Sequence, residues 1–485
     1  MISIHKLALS WDDLSLIGRV ALGVHILGLV NAAHAVMNVR LSQSAIAWSL
    51  SLITFPWLAI PLYWVLGRRK FHGYADIYRQ AYAEYSDSAG HSYQELSATY
   101  ADPPNGLETL SSLVKSLAEA PFIKGNQAEL LINGEAAYEA MLTAIQSAQD
   151  YILFQFYIIN DDGVGRRFQQ ALIQKAQAGV RVYVLYDEIG SKKMTRAYLK
   201  KLKQQGVQIS DFDSTKGFRN SFQLNFRNHR KILVVDGHTG FTGGLNIGKE
   251  YLGKDPRYGD WRDTHLQLQG PAVKVLQRSF LKDWYWAVRE LPAVNWAVKP
   301  GAGAETALVL STGPADEFQV CTLFFNGLFS LAKSRLWIAT PYFVPDEPTL
   351  AALKMAALRG VDVRILLPDN PDHLLVYLSS FSYYNELART GIKLYRYSTG
   401  FMHQKVYLVD DVLAGVGTVN LDNRSFLLNF EDIAFLTKGD FLYQVEAMLQ
   451  ADIENSTPVN FLDYNQRSLG FRLAVQVARL MAPLQ

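Results

Sequence analysis

One short pattern occurs twice in this chain with the same internal spacing, and it constrains the fold more than any other feature. The first copy, at 229–236, reads HRKILVVD, and the second, at 403–410, reads HQKVYLVD. One such copy arises easily by chance, but two with matching followers do not, so the chain contains an internal duplication. The followers, at equal distances in both copies, are Gly243 and Asn246 and then Gly417 and Asn420.

The duplication extends to the segments that precede each motif. An apolar strand, a helical stretch ending at glycine and a second strand follow one another over 148–185, and the same order recurs over 332–366. This alternation is typical of βαβ units. The sequence therefore predicts an α/β fold with two duplicated α/β domains, a largely parallel sheet and a pseudo-twofold axis between the halves.

Within each motif the histidine and the lysine stand two positions apart, and such residues share one face of a strand. If the two copies face each other, two imidazoles and two ammonium groups surround one point, with two amide donors beside them. Such a set can bind a phosphodiester on its lysines, attack phosphorus with one histidine and protonate the departing oxygen with the other. The six residues are His229, Lys231, Asn246, His403, Lys405 and Asn420.

The first 70 residues contain two uncharged apolar runs, at 20–39 and 41–67. A helix needs about 20 such residues to cross a bilayer, so we predict an N-terminal transmembrane hairpin of two spans. Positive charge is concentrated outside the pair of runs, which places both flanks and the rest of the chain in the cytoplasm. A re-entrant or interfacial hairpin is the alternative. The outer charges are Lys6, Arg19, Arg68, Arg69 and Lys70, and the single charge between the runs is Arg40.

Polar residues and prolines interrupt these runs. We expect His25, Asn31 and His34 to form hydrogen bonds between the two helices, with a proton or headgroup role as the alternative. Pro56 and Pro61 are expected to kink the second helix.

Composition restricts the chemistry further. A net charge of +2 and a pI near 8.3 give no bulk electrostatic argument for nucleic acid as a partner. The single cysteine, Cys321, lies in an apolar helical stretch and is expected to pack in a core. A lone cysteine excludes a disulfide framework within the chain and a thiolate-rich metal site, and we expect neither metal nor cofactor.

Both copies match the HxKxxxxD motif of the phospholipase D superfamily. The second copy continues through 420–425 and 429–431, and together with TPYFVP at 340–345 it resembles the bacterial cardiolipin synthase branch. Under this resemblance five segments are expected: a two-span hairpin at 1–70, a connector at 71–125, phospholipase D-like domains at 126–300 and 301–460, and a basic amphipathic helix at 461–485. That last helix would lie on the anionic inner leaflet or pack on the catalytic domain.

The resemblance also implies roles for particular residues. His229 would be the nucleophile that forms a phosphohistidine, and His403 would be the general acid and base, with the reverse assignment as the alternative. Asp263 and Glu431 would hold the histidines in orientation. Two further motif carboxylates follow the strands at turns, where a structural role is favoured over proton transfer although they belong to the catalytic motif. These are Asp236 and Asp410.

The implied reaction joins two phosphatidylglycerol molecules into cardiolipin and releases glycerol. Its partners are membrane phospholipids, and its place is the bacterial inner membrane, as a multi-pass protein with cytoplasmic catalytic domains. The alternatives are a hydrolase that releases phosphatidic acid, a transferase with another lipid donor or alcohol and, more remotely, a membrane-tethered nucleic-acid phosphodiesterase. The sequence leaves open whether the protein is a homo-oligomer.

Overall fold

The computed structural model describes residues 15–39, 42–67, 71, 73–77, 96–118, 120–215, 225–437 and 439–485. The described residues form two compact units, one within Met1–His72 and Ser214–Phe226 and the other within Gly73–Asp213 and Arg227–Gln485. Much of the predicted connector lies outside the described residues. So do the charges that predicted the topology, apart from Arg19: Lys6, Arg40, Arg68, Arg69 and Lys70.

The first unit contains three helices, α1 (Leu16–Asn38), α2 (Ser42–Thr54) and α3 (Pro56–Leu66). Among the described residues, α1 alone is long and apolar enough to cross a membrane, with 23 residues. The second predicted span is not one kinked helix. It is divided at Phe55, because a proline lacks the N–H that would continue the helix and Pro56 instead begins α3. With 13 and 11 residues, α2 and α3 are each shorter than the roughly 20 that a span requires.

Two of the three polar residues of α1 form hydrogen bonds with α3, as predicted. Asn31 accepts a hydrogen bond from Trp64 Nε1 at 2.8 Å, and His34 Nδ1 lies 2.8 Å from the Tyr63 hydroxyl. His25 differs, because its Nδ1 lies 2.9 Å from the Ala21 carbonyl of its own helix. The three helices therefore satisfy polar side chains among themselves.

The second unit begins with the first duplicated half. Its strands are β1 (Ile123–Ile132), β2 (Tyr151–Phe156), β3 (Arg181–Tyr186), β4 (Gln208–Asp211), β5 (Arg227–Asn228), β6 (Ile232–Val235), β7 (Thr239–Gly243), β8 (Trp261–Arg262) and β9 (Thr264–Gln269). Its helices are α4 (Glu108–Ala118), α5 (Asn133–Ser147), α6 (Gly163–Gln177), α7 (Arg196–Gln204) and α8 (Val273–Val288), with a 3₁₀ turn at Lys249–Leu252.

The second half repeats this order with additions near the C-terminus. Its strands are β10 (Glu305–Thr312), β11 (Arg335–Ala339), β12 (Phe343–Val344), β13 (Asp362–Pro368), β14 (Lys393–Tyr397), β15 (Phe401–Met402), β16 (Val406–Val409), β17 (Leu413–Gly417), β18 (Leu421–Asp422), β19 (Asn429–Thr437) and β20 (Ser456–Pro458). Its helices are α9 (Val320–Leu331), α10 (Glu347–Leu358), α11 (Leu374–Phe381), α12 (Tyr384–Leu387), α13 (Asn423–Leu427), α14 (Asp440–Glu454), α15 (Asp463–Gln466) and α16 (Leu469–Leu480), with a 3₁₀ turn at Ala482–Leu484.

One sheet of 16 strands, counted within the described residues, joins the two halves. Its order is β20-β14-β13-β11-β16-β17-β19-β10-β1-β9-β7-β6-β2-β3-β4, with β5 paired to β19 outside this path. The halves meet where β1 and β10 pair antiparallel. The two predicted catalytic domains therefore share one sheet.

The predicted βαβ units are present, but the prediction of a largely parallel sheet is wrong. β2 and β3 are parallel across α6, and β11 and β13 are parallel across α10. The motif strands instead form antiparallel hairpins, β6 with β7 and β16 with β17. Only a short turn separates the strands of each hairpin, and a parallel crossover needs a dozen or more residues, so the chain has to reverse direction.

The motif carboxylates Asp236 and Asp410 lie in these turns. Their φ angles, 52° and 49°, are in the left-handed region, which aspartate tolerates better than most residues. Asp236 accepts backbone N–H bonds from 149–151, and Asp410 accepts them from 333–335, all at 2.8–2.9 Å. Each carboxylate therefore ties the motif hairpin to the start of the neighbouring strand.

We predict that Asp236→Ala and Asp410→Ala each destabilise the fold by about 2–4 kcal/mol, because three charge-assisted bonds are lost and alanine disfavours a positive φ. Thermal unfolding of the purified full chain in detergent measures this. Asp411→Ala is the matched control, since its side chain is 81% exposed and pairs with Arg335 at the surface. Unchanged melting with lost turnover would instead give these carboxylates a part in the reaction.

Candidate active site

The backbone segment before each histidine is held by a strand of the other half. β5 ends at Asn228 and pairs with the start of β19, and His229 N donates to Phe430 O at 2.9 Å. In the same way β15 pairs with β8, and His403 N donates to Arg262 O at 2.8 Å. Each histidine therefore takes its position from both copies of the duplicated unit.

The side chains repeat this crossing. His229 Nδ1 lies 2.9 Å from Glu431 Oε2, and His403 Nδ1 lies 2.9 Å from Asp263 Oδ2. A carboxylate on Nδ1 fixes the tautomer and leaves Nε2 for chemistry. The structure therefore brings the predicted carboxylates to the histidines, and each partner comes from the opposite half, which the sequence did not reveal.

Both carboxylates are completely buried and held by further donors. Glu431 accepts from the Thr418 hydroxyl at 2.5 Å and from Asn429 Nδ2 at 3.1 Å. Asp263 accepts from the Thr264 amide at 2.8 Å and from Trp261 Nε1 at 3.2 Å. These bonds fix the carboxylates, and through them the imidazole rings.

The two lysines lie under the histidines, with no exposed surface. Lys231 Nζ donates to His229 O at 2.8 Å, and Lys405 Nζ lies 3.1 Å from both ring nitrogens of His403. Burial lowers the pKa of Lys231 to about 7 and that of Lys405 to about 8. The carboxylates oppose this effect, so two ammonium groups and two carboxylates balance in one buried cluster.

The histidines are expected to be neutral before substrate binds. Burial lowers the pKa of His229 to about 4, and Glu431 offsets only part of that decrease. Burial and the charge of Lys405 lower the pKa of His403 below its ordinary value. An anionic phosphodiester placed between the rings would raise both values, because it favours the protonated forms.

The carboxylates stay ionised because their contacts with the histidines and lysines outweigh the effect of burial. Burial alone would raise the pKa of Asp263, but its hydrogen bond to His403 and the charges of His403 and Lys405 lower the pKa to about 2. Burial would likewise raise the pKa of Glu431, and the contact with His229 outweighs it and lowers the pKa.

The two asparagines line the same cavity but differ in their contacts. Asn246 accepts from the Ile158 amide and donates to the Tyr251 hydroxyl, both at 3.0 Å. Asn420 Oδ1 is buried without a hydrogen-bond partner among the described residues. Asn246 is therefore fixed by the fold, whereas Asn420 keeps hydrogen-bonding capacity for a ligand.

A cavity of about 630 Å³ opens in front of these residues. Both histidines and both asparagines line it, while the lysines and the turn residues Asp236 and Asp410 do not. Its wall further includes Tyr157, Asn160, Lys192, Lys193, Arg227, Glu250, Tyr251, Tyr258, Trp261, Tyr342, Asp372, His373, Leu375, Val376, Asp422, Arg424, Asn429, Leu484 and Gln485. Eight of the ten predicted site residues thus meet at this cavity or directly beneath it.

Several of these wall residues did not emerge from the sequence. Tyr157 and Trp261 contact the histidine rings, with centroids 5.0 Å from His229 and 5.3 Å from His403. Arg227 stands two positions before His229, the spacing that puts both on one strand face, so that position carried a usable signal. Tyr157 and Trp261 carried none, because their approach depends on strand pairing between distant segments.

Other titratable residues have ordinary structural places. His265 is completely buried, and burial lowers its pKa to about 3, while His238 has its pKa lowered by burial and nearby lysines. Cys321 packs in the core of the second half, as predicted, and burial raises its pKa. Within the described ranges, no group of three or more His, Cys, Asp and Glu is arranged to hold a metal ion.

A mixed α/β sheet built from duplicated units, with two histidine–lysine motifs meeting at one cavity, is the architecture of a phospholipase D-like protein. The chain belongs to the family whose model is described as "Cardiolipin synthase, PLD-like domain", which matches residues 141–284 and 327–453. The enzyme class is therefore that of the phosphatidyltransferases of this superfamily.

Relatives support this membership over nearly the whole chain. Cardiolipin synthase A of Pseudomonas aeruginosa is 46% identical over 479 residues, covering 96% of each chain. Cardiolipin synthase A of Pseudomonas fluorescens is 44% identical over 463 residues, covering 95% of this chain and 97% of that one. The crystal structure of phosphatidylserine synthase from Haemophilus influenzae aligns with a TM-score of 0.59 at 14% identity, covering 78% of this chain and 100% of that one, which shows a shared fold.

We predict that Glu431→Gln and Asp263→Asn each lower kcat by about 10²–10⁴-fold, because the imidazole loses the acceptor that fixes its tautomer. The pH profile of kcat/KM separates the two variants. Each carboxylate raises the pKa of its histidine, so its removal lowers that pKa. If His229 acts neutral and His403 protonated, Glu431→Gln moves the acid limb to lower pH and Asp263→Asn moves the alkaline limb to lower pH.

Glu446→Gln serves as the matched control, because this glutamate binds Arg335, a residue that does not line the cavity. It should leave both limbs in place. A Glu431→Gln variant within about twofold of the wild-type kcat would contradict a role for the crossed contacts.

Proposed function

We propose that this cavity transfers a phosphatidyl group from one phosphatidylglycerol to a second, forming cardiolipin and releasing glycerol. The family membership and the names of relatives similar along 96% of the chain support this reaction. The observation that carries the mechanism is the crossed pair of histidine–carboxylate contacts facing one cavity above two buried lysines.

In the first half-reaction, His229 Nε2 attacks phosphorus of the donor and the bond to the glycerol oxygen breaks. His403 gives that oxygen a proton, so glycerol leaves neutral and a phosphohistidine remains. Lys231 and Lys405 stabilise the negative charge on the non-bridging oxygens, and the Asn420 amide adds a hydrogen bond. Glu431 stabilises the imidazole that gains positive character.

In the second half-reaction, a hydroxyl of another phosphatidylglycerol attacks the phosphohistidine. His403, now neutral, takes the hydroxyl proton, and the bond between phosphorus and His229 breaks. Cardiolipin leaves and both histidines return to their starting states. Water would give phosphatidic acid in the same step, so the outcome depends on which hydroxyl occupies the cavity.

We predict that the purified full chain, given phosphatidylglycerol in mixed micelles with EDTA, forms cardiolipin and glycerol in equal amounts. Mass spectrometry of both products measures this. His229→Ala and His403→Ala should each lower the rate at least about 10³-fold, because nucleophile and acid act as a unit. Phosphatidic acid as the main product would make the protein a hydrolase, and no product from folded protein would contradict the proposed donor.

A donor whose leaving group needs no proton separates the histidines. With the p-nitrophenyl ester of phosphatidic acid, His403→Ala should release one equivalent of p-nitrophenol and retain a covalent phosphatidyl group. His229→Ala should release none. The reverse pattern would exchange the two roles.

We also propose that the N-terminal helices form a membrane hairpin, with the catalytic unit on the cytoplasmic side of the bacterial inner membrane, and that a pseudo-twofold axis relates the halves. The exposed leucines of α1 and the polar contacts among α1 and α3 support the hairpin. The matching register of β5 on β19 and of β15 on β8 supports the axis.

A second apolar surface supports close contact with lipid. α11 and α16 pack on each other, with the Phe381 and Phe471 rings 5.3 Å apart, and their outer faces expose several leucines. Leu375 and Val376 of α11 also line the cavity. We call this surface the mouth face. Its exposed residues are Leu374, Leu375, Leu469, Leu473, Val477 and Leu480, beside the cations Arg467, Arg472 and Arg479.

The mouth face should insert into the anionic bilayer surface, since apolar side chains with flanking arginines favour that interface. We predict that bimane attached at Leu473→Cys in phosphatidylglycerol nanodiscs is quenched by brominated acyl chains. The same label at Asp411→Cys should not be quenched, because the motif turn lies at the strand end opposite the histidines. Native Cys321 is buried and does not compete for the label. Equal quenching at both positions would contradict insertion of the mouth face into the bilayer.

A further inference from the structure

The duplicated halves place different chemistry beside the two histidines. In the β5–β19 pairing Arg227 lies opposite Asn429, and in the β15–β8 pairing Phe401 lies opposite Trp261. These are matching positions, because each pair stands two residues before a histidine and two before its carboxylate. We therefore call the His229 side of the cavity, with Arg227 and Asn429 in its wall, the polar side, and the His403 side, with Trp261 in its wall, the aromatic side.

A second arginine adds to the polar side. Arg424, on α13, lines the cavity together with Arg227. Burial and then the charge of Arg227 lower the pKa of Arg424, and Arg424 Nη1 donates a hydrogen bond to the Leu484 carbonyl at 3.1 Å. The two arginines therefore place two positive charges in the wall of one cavity. Lys192 and Lys193 extend the positive charge along the exposed part of the wall.

Acidic groups also lie near these arginines. Glu188 Oε1 forms an ion pair with Arg227 at 3.9 Å, which is longer than a hydrogen bond. Asp187 is buried and accepts three backbone amides, from Ile189, Gly190 and Asn228. Burial raises the pKa of Asp422 to about 6, so this carboxyl, which also lines the cavity, is protonated more readily than an exposed aspartate.

The polar side also holds an amide oxygen with spare capacity. Asn429 Nδ2 donates to Glu431, whereas its Oδ1 is buried without a partner among the described residues. A buried acceptor of this kind is normally satisfied, so it indicates a donor supplied from outside the fold. A hydroxyl group of a bound ligand would supply that donor.

The proposed reaction needs such a place. Two anionic lipids take part, and the buried lysines offset the charge of the phosphate that reacts. The acceptor brings a second phosphate that must also leave water. A buried phosphate needs charged donors, and arginine binds one through two parallel N–H bonds. The aromatic side, with Trp261, Tyr258 and Leu375, suits the diacylglycerol part of a phospholipid instead.

We propose that Arg227 and Arg424 bind the non-reacting phosphate of the acceptor phosphatidylglycerol, with Asn429 accepting a hydrogen bond from its glycerol. This acceptor subsite rests on the proposed function and adds the residues that select a phospholipid over a neutral alcohol. The phosphohistidine forms before the acceptor reacts. The subsite therefore affects the proportion of this intermediate that each competing alcohol takes.

The test offers the intermediate two acceptors at once. The purified full chain receives phosphatidylglycerol in mixed micelles together with deuterated glycerol, which yields deuterated phosphatidylglycerol by exchange. The measured quantity is the ratio of cardiolipin to the deuterated lipid, by mass spectrometry. Only folded enzyme forms the intermediate, so loss of active protein does not change this ratio.

Arg227→Gln and Arg424→Gln should each lower the ratio about 10- to 100-fold, because a charge-assisted bond to the phospholipid acceptor is lost and none to glycerol. Arg227→Lys and Arg424→Lys should recover part of it. Arg389→Gln, an exposed arginine outside the cavity wall, should keep the wild-type ratio. A wild-type ratio in both glutamine variants overturns the acceptor subsite.

Two other outcomes also test the acceptor subsite and the proposed function. If neither glutamine variant makes product, a lowered ratio in the lysine variants supports the subsite and a wild-type ratio overturns it. If the wild type exchanges glycerol but makes no cardiolipin, the proposed function fails, whichever arginine is changed.

Discussion

The histidine–carboxylate contacts His229–Glu431 and His403–Asp263 cross between the duplicated halves, and the geometry of the site depends on them. Each carboxylate is buried and reaches the histidine only because a short strand of one half pairs beside the motif of the other. Neither half contains a complete histidine–carboxylate unit by itself. The duplication therefore produces one site that requires both copies, rather than two sites.

Burying four charged groups beside two histidines is costly unless the charges balance. Lys231 and Lys405 are offset by Asp263 and Glu431. Hydrogen bonds from the Thr418 hydroxyl, the Thr264 amide and the side chains of Asn429 and Trp261 satisfy the carboxylates. The shared 16-stranded sheet, counted over the described chain, supplies the rigid support. A phosphodiester enters as an additional anion, so the balanced cluster favours protonation of a histidine when substrate binds, which is the state a general acid needs.

The two halves differ at the positions that flank the histidines, and the two substituents of a lipid phosphodiester differ as well. In the proposed reaction the phosphate lies between equivalent histidines and lysines, whereas a lipid phosphodiester has one polar and one apolar substituent. Arg227 with Asn429 on one side and Phe401 with Trp261 on the other match that inequality. These positions can differ between the halves while the transferring groups stay the same, because they lie outside the two histidine–lysine motifs.

The sequence alone determined the duplication, the βαβ units and the histidine–lysine pairs, since these follow from spacing and strand periodicity. The resemblance to the phospholipase D superfamily added the carboxylates that accompany the histidines. It misjudged the sheet as largely parallel and the second apolar run as one kinked helix, because strand direction depends on the short motif turn and helix continuity failed at Pro56. Only the tertiary structure decided that Glu431 serves His229 and Asp263 serves His403, and that Arg227 and Arg424 share a wall. Those contacts join residues far apart in the chain, and local spacing carries no information about which distant strands will pair.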